Sequence, residues 1–338
     1  MKLYLIFLLF FIPIFNSFCN GKIATTEILT LGNQLYVKIS VGNPGVDYNL
    51  RLQFASTILW LKPKKKSSSK TGNSVKKEGI SGTSVSDTIK IGDVSFPNVP
   101  FIAAKSGTPK MGKSIVGSFG LSPENNTHLN SILNQLGSQI VTIKIIGGIS
   151  GGGGIISAGI GSLTLGGEDP GCKNYKYVKT DFDWSATLQY IQVGKSIIGI
   201  SLENIPRIKM SESLPYMYGP KEKVNELATK LGVPIPSNPK DRYVFPCDKK
   251  TNMPDITFTV GMIGGDTANV ILKPDQYIEK TFNETEGVVK PTCQLYFMPN
   301  EALPNSTDNT WTMGQAFMFN RCISVNLKDE TIGFADKN

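Results

Sequence analysis

The sequence predicts an all-β fold with few short helices, in a chain long enough for two domains. β-Branched or alternating segments recur along the 338 residues, as at 35–41, 88–94 and 140–146. Helical periodicity is limited to 129–136 and 224–231. The chain also contains 34 glycines and 20 prolines, which punctuate the short strands. This combination is typical of barrels or sandwiches, and the length is sufficient for two domains.

The first residues form a predicted signal peptide, residues 1–19. Lys2 precedes an apolar run at 3–15, and small or polar residues follow up to Asn20. The run is too short to span a bilayer comfortably and no later segment is long enough, so we expect no transmembrane segment; the alternative is an uncleaved anchor. The sequence therefore predicts a protein that is secreted or resides in the endomembrane lumen.

Four cysteines remain once Cys19 is removed with the signal peptide. An even number suits disulfides in an oxidising compartment, and the residues alone allow three pairings of Cys172, Cys247, Cys293 and Cys322. Three sequons are compatible with N-glycosylation of surface loops; they begin at Asn125, Asn283 and Asn305. The sequence therefore predicts a disulfide-bonded glycoprotein.

The formal net charge of +8 is unevenly distributed. Seven lysines crowd one polar, serine-rich stretch: Lys62, Lys64, Lys65, Lys66, Lys70, Lys76 and Lys77. Such a run can bind polyanions such as sulfated glycans or anionic lipid, or it can be only a solvated loop. No recognition-helix pattern or interleaved aromatic residue accompanies it, so we do not expect nucleic-acid binding.

Other motifs point to chemistry that their context does not support. Residues 107–114, GTPKMGKS, match a phosphate-binding loop, but the residues that follow do not favour the helix that such a loop opens. The glycine run 151–154 lacks a strand-turn-helix unit, and we interpret it as a connection. We interpret the single histidine, His128, as a surface residue, which leaves no Ser-His-Asp centre and no zinc cluster. We therefore expect no cofactor and no metal.

Two segments carry the functional argument. Residues 50–63 read LRLQFASTILWLKP, and residues 208–224 read IKMSESLPYMYGPKEKV, with Gly219-Pro220 before a helical pattern. Together with 161–170, 253–261 and 311–337, they resemble the pepsin-like aspartic proteases, in order and over about 29–337. That family repeats a hydrophobic-hydrophobic-Gly motif in each half, which we assign to 115–117 and 312–314.

The resemblance places Gln53 and Ser211 where the family has its two catalytic aspartates. Those carboxylates lie about 3 Å apart and share one proton, which lets one act as base and the other as acid. An amide does not take a proton from water, and no base is evident to activate Ser211. The resemblance implies a cleft with a flap residue at Val75, lined by Gln53, Phe54, Ser56, Val75, Ser211, Glu212 and Ser213.

The implied fold is a bilobal pepsin-like double β-barrel with a central cleft and lobes at 20–184 and 185–338. Likeness to secreted nematode members implies the pairs Cys172 with Cys322 and Cys247 with Cys293. We interpret 266–268, Asp-Thr-Ala, as a surface turn and not as an active-site motif. The implied function is a secreted, non-catalytic protein that binds a peptide or protein in the cleft. The alternative is an aspartic-type endopeptidase with residual or altered activity.

Overall fold

The structure is a computed structural model that describes residues 22–31, 34–63, 72–105, 116–146, 161–180, 184–199, 205–262, 264–285, 288–303 and 309–336. Several predicted features lie outside the described residues: the signal peptide, the motif at 107–114, the glycine run at 151–154, and Asn305.

The described chain is mostly β-strand. The first eleven strands, β1 to β11, are Ala24–Leu31, Gln34–Val41, Val46–Gln53, Leu59–Leu61, Ser74–Lys77, Ile80–Ile91, Val94–Ala104, Gly117–Gly120, Ile140–Ile145, Gly161–Leu165 and Lys176–Lys179. The remaining strands, β12 to β24, are Ser185–Val193, Ser196–Ile198, Arg207–Met210, Met217–Gly219, Val244–Pro246, Ile256–Gly261, Thr267–Leu272, Ile278–Thr285, Val288–Leu295, Phe297–Pro299, Trp311–Met313, Arg321–Asn326 and Thr331–Asp336.

The helices are short. Helices α1 to α4 are Thr127–Leu136, Lys221–Lys230, Pro274–Tyr277 and Gln315–Met318, and two 3₁₀ turns cover Cys247–Asn252 and Asn300–Ala302. Both predicted helices are confirmed in α1 and α2. The strand predicted at 88–94 is partly wrong, because Gly92 takes a positive φ of 56° and turns the chain between β6 and β7. No helix in the described ranges is both long and apolar enough to cross a membrane.

Three sheets organise the described strands. A thirteen-stranded sheet runs β11-β24-β23-β9-β10-β1-β2-β3-β8-β4-β7-β6-β5. An eight-stranded sheet runs β18-β17-β12-β14-β22-β15-β21, with β13 beside β12, and a three-stranded sheet runs β16-β20-β19. Strand β2 shows why the sequence folds in this way: Leu35, Val37 and Ile39 alternate and are buried, whereas Lys38 is exposed.

The two halves repeat one local arrangement. Strand β8 runs parallel to β3, with Gln53 opposite Gly120, and antiparallel to β4. Strand β22 likewise runs parallel to β14 and antiparallel to β15, with Met210 opposite Met313. Residues 118–120 are therefore the counterpart of 312–314. The motif assigned to 115–117 is wrong in register, because 118–120 is the segment that pairs with β3.

The last strands of the chain join the sheet of the first half. Strand β23 pairs with β9 from Arg321 opposite Ile145 to Asn326 opposite Ile140, and β24 pairs with β11. A lobe boundary at 184/185 therefore separates the chain in sequence, whereas β23 and β24 are hydrogen-bonded to strands on its N-terminal side.

Both disulfides have the pairing that the resemblance implied. Cys172 is bonded to Cys322, which lies in β23, across 150 residues. Cys247 is bonded to Cys293, which lies in β20, across 46 residues. The first bond ties the segment after β10 to the C-terminal strands, and the second closes the three-stranded sheet against the adjoining 3₁₀ turn.

Candidate functional site

Each candidate loop begins where a strand of the repeated arrangement ends. Gln53 is the last residue of β3, and Ser211 directly follows β14. A Cβ on Gly120 would lie 2.5 Å from the carbonyl oxygen of Ser56, and one on Gly314 would lie 2.3 Å from that of Leu214. Only glycine allows these close approaches, so the two loops are held at equivalent places by equivalent residues.

The side chain of Gln53 is oriented by a serine of the neighbouring strand. The Ser118 hydroxyl donates a hydrogen bond to Oε1 of Gln53. The remaining polar atom of the amide, Nε2, is a donor and does not accept a proton. At this position the site therefore offers hydrogen-bond donors and no base.

Ser211 lies beside a second hydroxyl. Its Oγ is 3.4 Å from Oγ of Ser213. The single histidine is not available to it, because Nε2 of His128 lies 2.9 Å from the carbonyl oxygen of Gly120 and the ring packs edge-on against Phe119. The surface position predicted for His128 is wrong, since the residue is 1% exposed. Burial lowers the pKa of His128 to about 3.

A carboxylate connects the two loops. The backbone amide of Phe54 donates to Oε2 of Glu212 at 3.3 Å, and Arg51 Nη2 lies 4.0 Å from Oε1. The backbone carbonyl of Glu212 accepts a hydrogen bond from Gln315 Nε2 at 2.8 Å. Burial raises the pKa of Glu212, against the opposing effects of the Phe54 hydrogen bond and the charges of Arg51 and Lys209.

An aromatic pair lies next to this connection. The rings of Phe54 and Trp184 stack with centroids 4.7 Å apart, and the indole of Trp184 donates to the carbonyl oxygen of Leu121 at 2.8 Å. A cavity of about 450 Å³, hereafter the interlobe cavity, lies between the two loops. Its lining residues are Phe54, Ala55, Ser122, Glu124, Trp184, Lys209, Met210, Ser211, Glu212, Ser213 and Thr312.

The predicted cleft residues divide into two groups. Phe54, Ser211, Glu212 and Ser213 line the interlobe cavity. Gln53 contacts Ser118 and is not among the lining residues, whereas Ser56 and Val75 belong to the neighbouring hairpin contact. The structure therefore brings together the loop residues of both halves but separates the predicted flap residue from the cavity.

The hairpin formed by β5 and β6 lies against the first loop. Val75 pairs with Gly82 and packs against a small apolar cluster that includes Ile58 and Trp60. At the turn, Glu78 accepts hydrogen bonds from Ser56 Oγ at 2.7 Å, Thr57 Oγ1 at 2.7 Å and Thr57 N at 2.8 Å. Partial burial acts to raise the pKa of Glu78, but these hydrogen bonds and nearby Lys77 lower it overall.

The remaining predicted surface features are the motif at 266–268, the lysine run and the sequons. Asp266 lies in the exposed segment between β17 and β18, as the surface-turn interpretation expected, whereas Thr267 and Ala268 belong to β18 and Ala268 is buried. Lys62, Lys76 and Lys77 are exposed, whereas Lys64, Lys65, Lys66 and Lys70 lie outside the described residues. Asn125 is exposed beside the N-terminus of α1, and Asn283 lies in β19.

The family model described as Eukaryotic aspartyl protease matches residues 64–337. The chain belongs to this family. The match begins just after the first loop and includes the second. The resemblance inferred from the two loops is therefore confirmed at the level of the family.

Curated relatives and a solved structure agree with this membership. Renin of Echis ocellatus is 23% identical over 358 residues, which cover 94% of this chain and 84% of that protein. Cathepsin D of Homo sapiens is 26% identical over 181 residues, which cover 52% of this chain and 40% of that protein. The crystal structure of aspartic proteinase from Irpex lacteus matches with a TM-score of 0.66 at 15% identity, covering 94% of this chain and 98% of that one. The predicted bilobal pepsin-like double β-barrel is confirmed.

Three residues that contact the candidate site are not identified by the sequence of this chain: Ser118, Trp184 and Glu78. Ser118 orients Gln53 from 65 residues away, and Trp184, directly before β12, stacks on Phe54. Glu78 has one local signal, because a glutamate stands before a glycine at 78–79, and the two-residue turn of a hairpin usually has asparagine or aspartate in that place.

Proposed function

We propose that this aspartyl protease family member is a secreted, non-catalytic protein that binds a peptide or protein segment between its two lobes. The observation that carries the proposal is the equivalence of Gln53 and Ser211. Both residues stand at the end of the parallel strand of the repeated arrangement, in loops fixed by Gly120 and Gly314. Neither side chain is a carboxylic acid.

The chemistry of the two positions supports a loss of hydrolysis. Aspartic proteolysis requires two carboxyl groups that share one proton and activate a water molecule. The carbonyl of Gln53 already accepts a hydrogen bond from Ser118, and Ser211 lies beside another hydroxyl. Glu212 lines the cavity together with Glu124, and the oxygens of Glu212 face the amide of Phe54 and the guanidinium of Arg51. In this arrangement the Glu212 carboxylate is held by Phe54 and Arg51 and is not paired with a second carboxyl group.

The interlobe cavity supports a binding role. Ligand sites are concave and combine apolar walls with a few polar groups that fix orientation. Phe54, Trp184 and Met210 supply the apolar part, whereas Ser211 and Ser213 supply hydroxyls. Its position between loops of both halves is where an extended peptide would contact the two lobes together.

Three further features of the chain support secretion. The predicted signal peptide, the two disulfides and the sequon at Asn125 all suit the secretory pathway. The lobes at 20–184 and 185–338 remain part of this proposal.

Exposed Lys62, Lys76 and Lys77 support weak binding of a polyanion. Salt-sensitive retention on heparin would measure this binding, and serine substitutions of the three lysines should abolish it.

The hydrolysis experiment uses a denatured protein substrate between about pH 3 and 7, the range in which an aspartate dyad works. We expect no turnover by the unmodified protein, with or without pepstatin. A Gln53→Asp/Ser211→Asp variant tests whether the rest of the site still supports catalysis. Pepstatin-sensitive turnover by the unmodified protein would instead establish the alternative, an endopeptidase with altered activity.

The binding experiment exposes immobilised protein to a random peptide library and identifies retained peptides by mass spectrometry. A Ser211→Trp variant fills the interlobe cavity and should lose the retained peptides. Ser196→Trp is the matched control, because Ser196 is exposed on β13 and outside the cavity. Equal retention by both variants would rule out this cavity as the binding site.

A further inference from the structure

The turn of the β5–β6 hairpin inserts a carboxylate into a set of three donors. Two hydroxyls and one backbone amide, from Ser56 and Thr57, converge on the carboxylate of Glu78 at 2.7–2.8 Å. Hydrogen bonds to an ionised acceptor are shorter and stronger than neutral ones. The three donors therefore have the composition and geometry of a carboxylate-recognition site.

The donors are held in place by groups other than the hairpin. The backbone carbonyl of Ser56 accepts a hydrogen bond from Ser122 N at 3.0 Å, and that of Ile58 accepts one from Gly120 N at 3.0 Å. The backbone amide of Ile58 donates to Ser56 Oγ at 3.3 Å, which leaves the Ser56 proton directed at the carboxylate. Withdrawal of Glu78 would consequently leave a preformed site.

The backbone of Glu78 indicates that its side chain is retained for this contact. Glu78 has a φ of 49° and Gly79 a φ of 77°, so both turn residues occupy the left-handed region. Two-residue turns of this kind favour Asn-Gly or Asp-Gly, because asparagine and aspartate tolerate a positive φ better than other non-glycine residues. A glutamate is long enough to reach Ser56 and Thr57, which accounts for its presence at an unfavourable position.

The β5 arm of the hairpin has few contacts of its own, whereas the β6 arm is anchored by buried Ile80 and by the pairing of Gly82 with Ala104. Strand β5 is the edge strand of its sheet and pairs with β6 alone. Lys76, Lys77 and Glu78 are exposed, and Val75 is the β5 side chain that packs on the apolar cluster. The two lysines would attract an acidic ligand, and the exposed carboxylate is accessible to a competitor.

We propose that Ser56 and Thr57 form a carboxylate-binding site that Glu78 occupies in cis and that an acidic side chain of a peptide ligand takes over by displacing the Glu78 side chain. The inference rests on the proposed peptide-binding function for the identity of the ligand. It adds that the ligand carries an aspartate, a glutamate or a free carboxyl terminus at the position next to the first loop.

The test empties the site without disturbing the turn. Glu78→Asn creates an Asn-Gly turn, which this backbone favours, and its side chain is too short to reach Thr57. Glu330→Asn is the matched control, because Glu330 also has a positive φ, 52°, in the turn between β23 and β24. Acetate is the probe, and the backbone amide resonance of Thr57 is the readout at about pH 7.

We expect a saturable shift of the Thr57 amide in the Glu78→Asn variant, with acetate bound roughly tenfold or more tightly than by the unmodified protein or by Glu330→Asn. Adding Thr57→Val, which removes one hydroxyl donor, should weaken that binding. Absence of a saturable shift in Glu78→Asn, or equal shifts in all three proteins, would overturn the proposal.

The acetate result is independent of the interlobe cavity. Failure of the peptide-library experiment would therefore leave it unchanged, so the two proposals fail separately. For the ligand class, a glutamate-containing peptide should bind Glu78→Asn more tightly than its glutamine counterpart. Equal affinity for the two peptides would exclude an acidic ligand at this site.

Discussion

The backbone amide of Phe54 donates a hydrogen bond to the carboxylate of Glu212, a residue 158 positions further along the chain. The two residues directly follow Gln53 and Ser211, so the contact joins the candidate loops at their centre. Here a buried carboxylate makes the connection, and its charge links the stability of the site to pH.

Substitution of Glu212 should separate the hydrogen bond from the charge. Glu212→Gln keeps an acceptor for Phe54 N, whereas Glu212→Ala leaves that buried amide unpartnered and should cost about 1–3 kcal/mol of unfolding free energy. Because burial raises the pKa of Glu212 in the folded state, its contribution is fully present below the unfolded pKa and is lost as pH rises through the folded pKa. Glu212→Gln should remove that loss. Urea denaturation between about pH 4 and 7 measures both effects. An equal loss of unfolding free energy in Glu212→Gln and Glu212→Ala would show that the charge of Glu212, and not its hydrogen bond to Phe54, stabilises the contact.

Removal of the aromatic stack should destabilise the protein strongly. Phe54 is 4% exposed and stacks on Trp184, so Phe54→Ala should cost about 3–5 kcal/mol of unfolding free energy. Phe282→Ala is the control, because Phe282 is 64% exposed and should change stability by less than about 0.5 kcal/mol. Urea denaturation followed by tryptophan fluorescence measures the difference, and similar losses would contradict a structural role for the stack.

His128 should make the protein sensitive to acid. Its pKa is lowered to about 3 by burial, so the imidazole is neutral in the folded state and must be protonated in the unfolded state below about pH 6.5. Stability should therefore fall as pH decreases from about 6.5 toward 3, by on the order of 4 kcal/mol relative to His128→Gln. Glutamine retains a donor for the carbonyl of Gly120. If the unfolding free energies of the unmodified protein and His128→Gln changed with pH in the same way, His128 would not be the cause of the acid sensitivity.

Loss of the long-range disulfide should cost more than loss of the short one. In the chain-entropy account, a loop of 150 residues is worth about 5 kcal/mol and one of 46 residues about 4 kcal/mol. Cys172→Ala/Cys322→Ala should therefore lower the unfolding free energy more than Cys247→Ala/Cys293→Ala. Chemical denaturation of the two double variants measures the order, and a reversed order would mean that packing around the cysteines outweighs loop closure.

The sequence predicts the parts of this fold that depend on contiguous residues. The strands at 35–41 and 140–146, the two helices and both loops are encoded by local patterns of apolar and polar residues. The order of several weak matches identifies the family, because each match fixes the spacing of the next. The exposed turn at Asp266 follows from Gly264-Gly265 before it.

The contacts between distant segments are what the sequence does not reveal. The pairing of Phe54 with Trp184 depends on how two sheets approach, and no local pattern specifies it. His128 illustrates a local signal that was misread: its polar neighbours suggested a surface loop. In helix α1, however, it lies four residues before Ile132 and eight before Leu136, on the buried face.

The pairing of β23 with β9 has a consequence for synthesis of the chain. Strand β9 is complete by residue 145, but its partner begins only at Arg321. During translation, β9 would therefore present an open edge until β23 has emerged, and such edges promote misassociation. A nascent chain stalled before residue 321 should consequently depend on chaperones that shield the strand.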